Sequence, residues 1–339
     1  MITKEDKIFI TGASGFIGTN LVELFESNGY QFVNFDKAAP TKAQQSKYWQ
    51  EGNIMDIEGL KNAMASYEPT IVIHLAAVTD TASDDLDYYI ENTKGSDYVL
   101  EAVKCTPSIK LCVMTSTQYV YKDLWTPYPS RDDEYKPHTT YGVSKSMMEE
   151  ATRHGNLTCA WTIVRPANVW GPWNLRYPNQ LWKYLDMGLY FHPTKMPAVR
   201  TYAYVRNLVY QLNQIVNSDL SKIDKQTYYL GDRPISSKLW LEEWIRQLRG
   251  TKMHYIPSWI MACAAFTGDV LKKFGISFPI YSVRYHNMLE DYYAYTNKTV
   301  DAFGVRNESL ADNVKETIDW VKGEGIDFFP YWKKKYGKK

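Results

Sequence analysis

The chain opens on a short apolar run, Ile8-Phe-Ile10, and similar runs return at Gln31–Phe35, Ile71–Leu75, Lys110–Ser116 and Thr158–Arg165. Such runs, bounded by polar turn residues, read as buried strands, the first of them over Lys7–Thr11. Between them, apolar positions recur at helical spacing over Phe16–Ser27, Ile57–Ala65, Asp85–Lys104 and Tyr141–His154. Strands alternating with helices predict βαβ units with right-handed crossovers, hence an α/β fold built on a doubly wound parallel sheet.

Near Pro172 the rhythm changes. Trp, Pro and Tyr become frequent, strands become sparse, and helices are predicted over Asn179–Leu189, Val205–Asn217, Lys238–Arg249, Ser258–Phe274 and Leu310–Lys322. No linker, repeat or low-complexity tract marks a boundary. The expected division is 1–172 as the sheet domain and 173–339 as a smaller, mostly helical lobe, some of whose segments return to the first domain.

Composition narrows the function by exclusion. A net charge of +1 over 339 residues gives no electrostatic case for nucleic acid or an anionic membrane. The basic run Lys333–Lys335 with Lys338-Lys339 reads as a solvated end. Met1–Asp6 is polar and shows no signal pattern, and the longest apolar stretch, Trp259–Phe266, is too short to span a bilayer. Cys105, Cys112, Cys159 and Cys263 are scattered without metal-ligand spacing, which suits reduced thiols. A cytoplasmic protein with no membrane span, no nucleic-acid partner and no metal is expected.

Two motifs carry chemistry. Thr11-Gly-Ala-Ser-Gly-Phe-Ile-Gly18 follows the first predicted strand and opens a helix. Gly12 permits the tight turn, Gly15 lets backbone approach a pyrophosphate, and Gly18 lets helix and strand pack closely. The helix N-terminus then offers N–H groups to phosphate. Asp36, at the end of the second predicted strand, is placed to accept hydrogen bonds from ribose hydroxyls and to repel a 2′-phosphate, so NAD is the expected cofactor. Lys37 beside it would soften that discrimination. The second motif, Tyr141-Gly-Val-Ser-Lys145, sets a phenol and an ammonium one helical turn apart. A secondary alcohol releases hydride only if its hydroxyl proton also leaves; Tyr141 is the proton acceptor, and Lys145 stabilises its phenolate.

These motifs resemble the extended short-chain dehydrogenase/reductase family, chiefly its nucleotide-sugar epimerases, dehydratases and reductases, over about Lys7 to Pro172. The resemblance implies a Rossmann-like domain. It extends to Asn53-Ile54, where the family has Asp-Ile against adenine, to His74-Leu-Ala-Ala77 under the cofactor, to the helix asparagine Asn92, and to Arg165-Pro-Ala-Asn-Val-Trp-Gly-Pro172. Aligned on Val120-Tyr121, the family's catalytic Ser/Thr falls on Thr117, with Ser116 as the rival position. The resemblance implies catalysis by Thr117, Tyr141 and Lys145. It implies cofactor contacts from Gly12, Ser14, Gly15, Phe16, Ile17, Gly18, Asp36, Asn53, Ile54, Leu75, Ala76, Ala77, Asn92, Thr115, Tyr141, Lys145, Pro166 and Val169.

On the substrate side, Arg200-Thr-Tyr-Ala-Tyr-Val-Arg-Asn207 is similar to a family segment whose arginine grips the sugar nucleotide's diphosphate, although Thr201 and Asn207 depart from it. Thr79, Thr117, Asn168, Arg200 and Arg284 are the expected contacts to a nucleotide-diphosphate sugar, with a helix-surface role the alternative for Arg284. Asp80, Asp84 and Asp85 line the sugar pocket or serve as loop carboxylates. Gln118 and Tyr119 stand where the family's dehydratases carry an acid–base pair, which argues against dehydration and decarboxylation. The expected function is an NAD-dependent nucleotide-sugar epimerase acting by transient oxidation and re-reduction, as a homodimer. The alternative is a nucleotide-sugar ketoreductase or another alcohol dehydrogenase; a 4,6-dehydratase and a non-catalytic cofactor-sensing module rank lower.

Overall fold

The structure is a computed structural model and describes residues 3, 5–123, 126, 128–193, 198–276 and 278–337. The chain divides into two compact units. One comprises Met1–Val169, Ala203–Asp232 and Ala294–Arg306; the other comprises Trp170–Tyr202, Arg233–Tyr293 and Asn307–Lys339.

The first unit is built on β1 (Lys7–Thr11), α1 (Phe16–Ser27), β2 (Gln31–Asp36), β3 (Trp49–Glu51), α2 (Ile57–Tyr67), β4 (Ile71–His74), α3 (Ser96–Lys104), β5 (Leu111–Thr115), α4 (Thr140–His154) and β6 (Ala160–Pro166). Its sheet has seven strands in the order Gln226–Leu230, β6, β5, β4, β1, β2, β3. Every neighbouring pair is parallel. The strand order reverses between β1 and β4, where open α/β sheets form a ligand crevice at the strands' carboxyl ends. Thr11 lies there in register with Phe35 on one side and His74 on the other.

The two-residue period of the strands sorts the core onto both faces. Ile8 and Ile10 pack with Leu21, Val22 and Phe25 of α1 and with Leu208 and Leu212 of the helix Val205–Val216. Phe9, pointing the other way, packs with Leu60 and Met64 of α2 and Val99 and Val103 of α3. Full burial of these side chains is worth about 1.5–3 kcal/mol each against leaving them exposed.

The predicted strands and helices of the first half recur within a few residues. The run Asp85–Lys104 differs in detail. It enters as a 3₁₀ turn over Leu86–Tyr89, widens to a π turn over Glu91–Gly95, and becomes α-helical as α3. Two strands of this sheet escape the sequence reading, β3 and Gln226–Leu230. The latter reads polar at Gln226-Thr227, yet Tyr228, Tyr229 and Leu230 are buried beside β6, and Phe303 of the helix Asn297–Phe303 stacks edge-on to Tyr228.

The second unit is mostly helical, with Ser237–Arg249, Ser258–Lys273, Ser282–Leu289 and Leu310–Lys322 as its longer helices. Its centre is aromatic. Trp182 stacks on Trp244 at 4.4 Å, Tyr202 on Trp240 at 4.4 Å, and Trp170 meets both Trp240 and Trp244 edge-on. The basic run Lys333–Lys335 is not a free end. It lies on the helix Pro330–Tyr336, and the buried Asp186 carboxylate accepts from Lys335 at 2.6 Å, from Tyr336 at 2.7 Å and from Tyr331. A buried carboxylate needs that many donors, which is why the run is held. Lys338-Lys339 lie outside the described residues. Among the described residues, no helix is long and apolar enough to cross a membrane.

Candidate active site

The glycine-rich turn leaves β1 with Gly12 at φ 77°, a conformation that favours glycine. A Cβ there would also lie 2.4 Å from the Ala76 backbone, and one at Gly18 would lie 2.3 Å from Ala13 Cα. Gly15 is different: beyond its chain neighbours, a Cβ there would meet only the Gly12 carbonyl oxygen, at 3.3 Å. Gly15 is also the N-cap of α1, which has no side-chain cap, so the helix start at Phe16, Ile17 and Gly18 carries the N–H groups that suit an anion.

Beneath the turn, buried Asn34 accepts from Ala13 N at 3.0 Å and donates to Ser14 Oγ at 3.0 Å. Ser14 Oγ in turn donates to Ala38 O at 2.6 Å. The Asp36 carboxylate accepts from Ser14 N and Ala38 N, both at 3.0 Å, and each oxygen keeps further acceptor capacity for a ribose hydroxyl. Lys37 is engaged in an ion pair with Glu91.

At the neighbouring strand end, His74 is fully buried between Thr11 Oγ1 at 2.7 Å and Ser96 Oγ at 3.1 Å. Burial, aided by the nearby Lys145 charge, holds its pKa down to about 3, so the ring is a neutral strut. Leu75, Ala76 and Ala77 follow it. Asn92 then clamps the chain at Val78, accepting from Val78 N at 2.8 Å and donating to Val78 O at 2.9 Å, with a third bond to Ser144 Oγ of α4 at 3.1 Å. Thr79 is exposed beyond this clamp. Asp80 accepts from Tyr88 OH at 2.9 Å and Asp85 from Asp87 N at 3.0 Å, as carboxylates that shape the loop. Asn53 is exposed and accepts from Met55 N at 2.9 Å, and Ile54 is buried against Gly95.

β5 ends at Thr115. Thr117 is buried, and its hydroxyl accepts from Tyr119 N at 3.3 Å, capping the 3₁₀ turn Gln118–Val120. Across from this turn α4 begins, capped by Thr139 Oγ1 on Gly142 N at 3.0 Å. A Cβ at Gly142 would stand 2.4 Å from Tyr119 O, so glycine lets the start of the helix press onto the turn. The Thr117 loop and Tyr141 are thereby brought together; the Tyr141 ring lies 6.0 Å from that of Tyr119 and 6.1 Å from that of Tyr89.

One turn further, Lys145 is 1 % exposed, and its Nζ has no hydrogen-bond partner among the described residues. Thr115 Oγ1 and Ser116 Oγ are buried in the same condition. An unpartnered buried ammonium is costly. Burial pulls the Lys145 pKa down to about 8, against the opposing charge of Glu149. These orphaned donors fit a polyhydroxyl cofactor and a substrate oxygen, and the uncapped start of α1 fits its pyrophosphate.

The sequence reading passed over the partner of this face. Glu149, a further turn along α4, is fully buried and bound by both Arg165 Nε at 2.8 Å and Nη2 at 2.7 Å. Arg165 also donates to Tyr229 OH at 2.9 Å and Asp132 O at 2.6 Å, and Tyr135 OH donates to Glu149 at 3.2 Å. The signal was present in the spacing: Tyr141, Lys145 and Glu149 recur every four residues on one helix face. Pro166 ends β6, and partly buried Asn168 and Val169 follow it.

Elsewhere in the first unit, Asn207 and Tyr204 N donate to Asp232 at 2.6 and 2.7 Å, and burial pushes that carboxyl up to about 7. In the second unit, Arg200 Nη2 donates to Glu290 O at 3.1 Å and to Asn287 O, at the end of the helix Ser282–Leu289. Arg284 lies on that helix, donates to Pro279 O at 2.7 Å and sits over the Tyr281 ring. Among the described residues, no group of three or more His, Cys, Asp or Glu is arranged to hold a metal ion.

Residues 8–213 match the model of the NAD dependent epimerase/dehydratase family. Over 212 residues the chain is 30% identical to an Escherichia coli O157:H7 N-acetyl-α-D-glucosaminyl-diphospho-ditrans,octacis-undecaprenol 4-epimerase, covering 60% of this chain and 61% of that protein. It is 31% identical over 159 residues to the UDP-glucose 4-epimerase of Neisseria meningitidis serogroup C, covering 42% and 46%. The chain thus spans 61% and 46% of the length of these two curated relatives. Among solved structures, the UDP-glucose 4-epimerase of Thermotoga maritima with UDP-glucose superposes with a TM-score of 0.71 at 20% identity, over 94% of this chain and 99% of that one. The Thermus thermophilus enzyme in complex with NAD gives 0.69 at 18% identity, over 94% and 99%. These two structures share the fold. With its glycine turn, its Tyr141–Lys145 helix and a family match over more than half its length, the chain belongs to the NAD-dependent epimerase/dehydratase family.

Proposed function

We propose that this protein is a nucleotide-sugar epimerase that uses NAD catalytically, with Tyr141 as the acid–base. The observation that carries the reading is the buried, unpartnered Lys145 ammonium one turn from Tyr141, on a helix whose start Gly142 presses against the Thr117 turn. Bound NAD supplies the acceptor, and then the donor, of the hydride. Tyr141 takes the hydroxyl proton of the sugar as its carbon is oxidised to a ketone, and returns it after hydride comes back to the opposite face. Lys145 favours the phenolate and holds ribose hydroxyls, and the Thr117 hydroxyl orients the substrate oxygen. Asp36 selects NAD through the ribose. Asn168 faces the sugar nucleotide's polar groups, its carboxamide offering both donor and acceptor.

Two facts favour epimerisation over its relatives' other reactions. Gln118 and Tyr119 provide no acid–base pair for water loss. The relatives named above as 4-epimerases act on sugars carried by a diphosphate. The reading carries with it a cytoplasmic location and a homodimer. The test is incubation in deuterated water with a panel of nucleotide sugars. One sugar should be inverted at a single carbon, that carbon should carry no deuterium, and NAD should not be consumed. Deuterium at the inverted carbon would mean enolisation instead of hydride return. Stoichiometric NADH consumption without an epimer would make the protein a ketoreductase.

A further inference from the structure

The charges along α4 are not paired as their spacing favours. Lys145, Glu149 and Arg153 stand one helical turn apart, so Glu149 has a cation within reach on either side. Lys145 and Glu149 are both buried. A buried ammonium beside a buried carboxylate ordinarily pairs with it, because each offsets the other's loss of water. Yet Lys145 Nζ has no hydrogen-bond partner among the described residues.

The reason lies on the neighbouring strand. Arg165 of β6 donates from Nε to Glu149 Oε1 at 2.8 Å and from Nη2 to Oε2 at 2.7 Å. One guanidinium thus occupies both carboxylate oxygens. Arg165 is itself fixed: it donates to Tyr229 OH and Asp132 O, and its guanidinium lies 5.1 Å from the Tyr229 ring and 5.9 Å from the Tyr135 ring. Arg153 comes only to 3.6 Å from Glu149 Oε2, and its Nη2 also donates to Thr227 Oγ1 at 2.7 Å and to Asp132 O at 3.1 Å. A planar fork held at so many points outcompetes a flexible ammonium for a carboxylate.

We propose that Arg165 is a positioning residue of the site: by holding both oxygens of Glu149 it denies Lys145 a carboxylate, and leaves the ammonium to Tyr141 and the cofactor's ribose. This inference rests on the reading of Tyr141 as the acid–base. Among the described residues, the charged and titratable groups about Lys145 are Tyr141, Glu149 and, beyond it, Arg153 on α4, with neutral His74 from β4 and Arg165 from β6. Of these, Glu149 pulls the Lys145 pKa up, against the burial that pulls it down. A Glu149 oxygen turned onto Nζ would strengthen that pull and draw the ammonium away from Tyr141.

The test is titration of the Lys145 side chain in the ligand-free protein, by NMR of isotope-labelled lysine, assigned by the signal that Lys145→Met removes. Arg165→Lys keeps the charge and loses the fork. It should raise the Lys145 pKa from about 8 to about 9 or above, because the ammonium gains a partner. At pH 7, where the ammonium is charged in either protein, its kcat should fall about ten- to a hundredfold through misplacement. Arg165→Met with Glu149→Leu removes both charges. It should drop the Lys145 pKa below that of the unaltered protein and restore most of kcat on the acid side of that pKa. An unmoved or lowered pKa in Arg165→Lys would overturn the proposal, whatever its turnover, since a purely structural role predicts that result. So would a double variant that folds and recovers no turnover; should it not fold, the Arg165→Lys titration decides alone. That titration needs no substrate. A raised pKa in a protein that inverts no sugar would therefore count against epimerisation and uphold the hold of Arg165 on Glu149.

Discussion

The two units bury different kinds of side chain. In the sheet unit, charge goes inside: Glu149 and Arg165 are fully buried and bound to each other, to Tyr135, to Tyr229 and to Asp132. The second unit buries one carboxylate, Asp186, on the partly exposed Lys335, but its centre is filled by rings: Trp170, Trp182, Trp240 and Trp244, and the indole N–H groups of the last three have no partner among the described residues. The contrast separates two ways of holding a fold. A buried ion pair is specific and intolerant, because removing one partner strands the other. Stacked rings rely on area and shape. The unit that holds the proposed site is the one that buries both members of an ion pair, and Lys145 sits on the same helix as Glu149.

The sharpest challenge to that division is Tyr141→Phe. Turnover should fall by about 10²–10⁴-fold while the melting temperature and NAD binding persist. A near-normal rate would move the acid–base role elsewhere. Next, Arg165→Met should cost about 3–5 kcal/mol in urea denaturation, since Glu149 is left buried and unpaired. Changing Glu149→Leu as well should restore much of that loss. Trp244→Ala should cost a similar 3–5 kcal/mol, yet no second substitution at Trp182 should restore it, because the loss is of volume. Rescue in the second unit, or none in the first, would break the comparison.

Lys145→Met joins function to stability with opposite signs. Burial lowers the Lys145 pKa from its ordinary 10.5 to about 8, so at pH 7 the ammonium is charged in both folded and unfolded chains and penalises the fold by roughly 3 kcal/mol. Removing the charge should raise the melting temperature of the ligand-free protein while abolishing turnover. Between pH 8 and pH 10.5 the folded group loses its proton first, so the unaltered protein gains stability there and the variant's advantage shrinks. An unchanged melting temperature at pH 7 would mean the amine is solvated. The smallest effect is expected at Asp36. Asp36→Ala should weaken NAD binding about tenfold, the worth of a charge-assisted hydrogen bond, and leave NADP binding nearly unchanged.

Much of the sheet unit was legible because its information is local. Period-two strands, period-3.6 helices and a glycine turn between them announce themselves within a dozen residues. The strand Gln226–Leu230 was not legible, because its place at the sheet edge depends on pairing with β6, and two of its five residues are polar. The Glu149–Arg165 pair was half visible: the helix face showed in the spacing, but its partner lies 16 residues on in another strand. Gly142 had no role in the sequence reading. Its purpose, a close approach to Tyr119 O, exists only once β5 and α4 are packed.

The sequence by itself determined the α/β alternation, the dinucleotide turn and the Tyr141–Lys145 spacing, since these rest on backbone periodicity and on the chemistry of single residues. Tertiary structure alone decided that Lys145 is buried with no partner among the described residues, that Lys37 is paired to Glu91, and that Asn34 and Asn92 brace the turn and the β4 loop. Burial and pairing are properties of contacts between distant segments. Desolvation, which sets the cost of the Lys145 charge, has no value until those contacts are made.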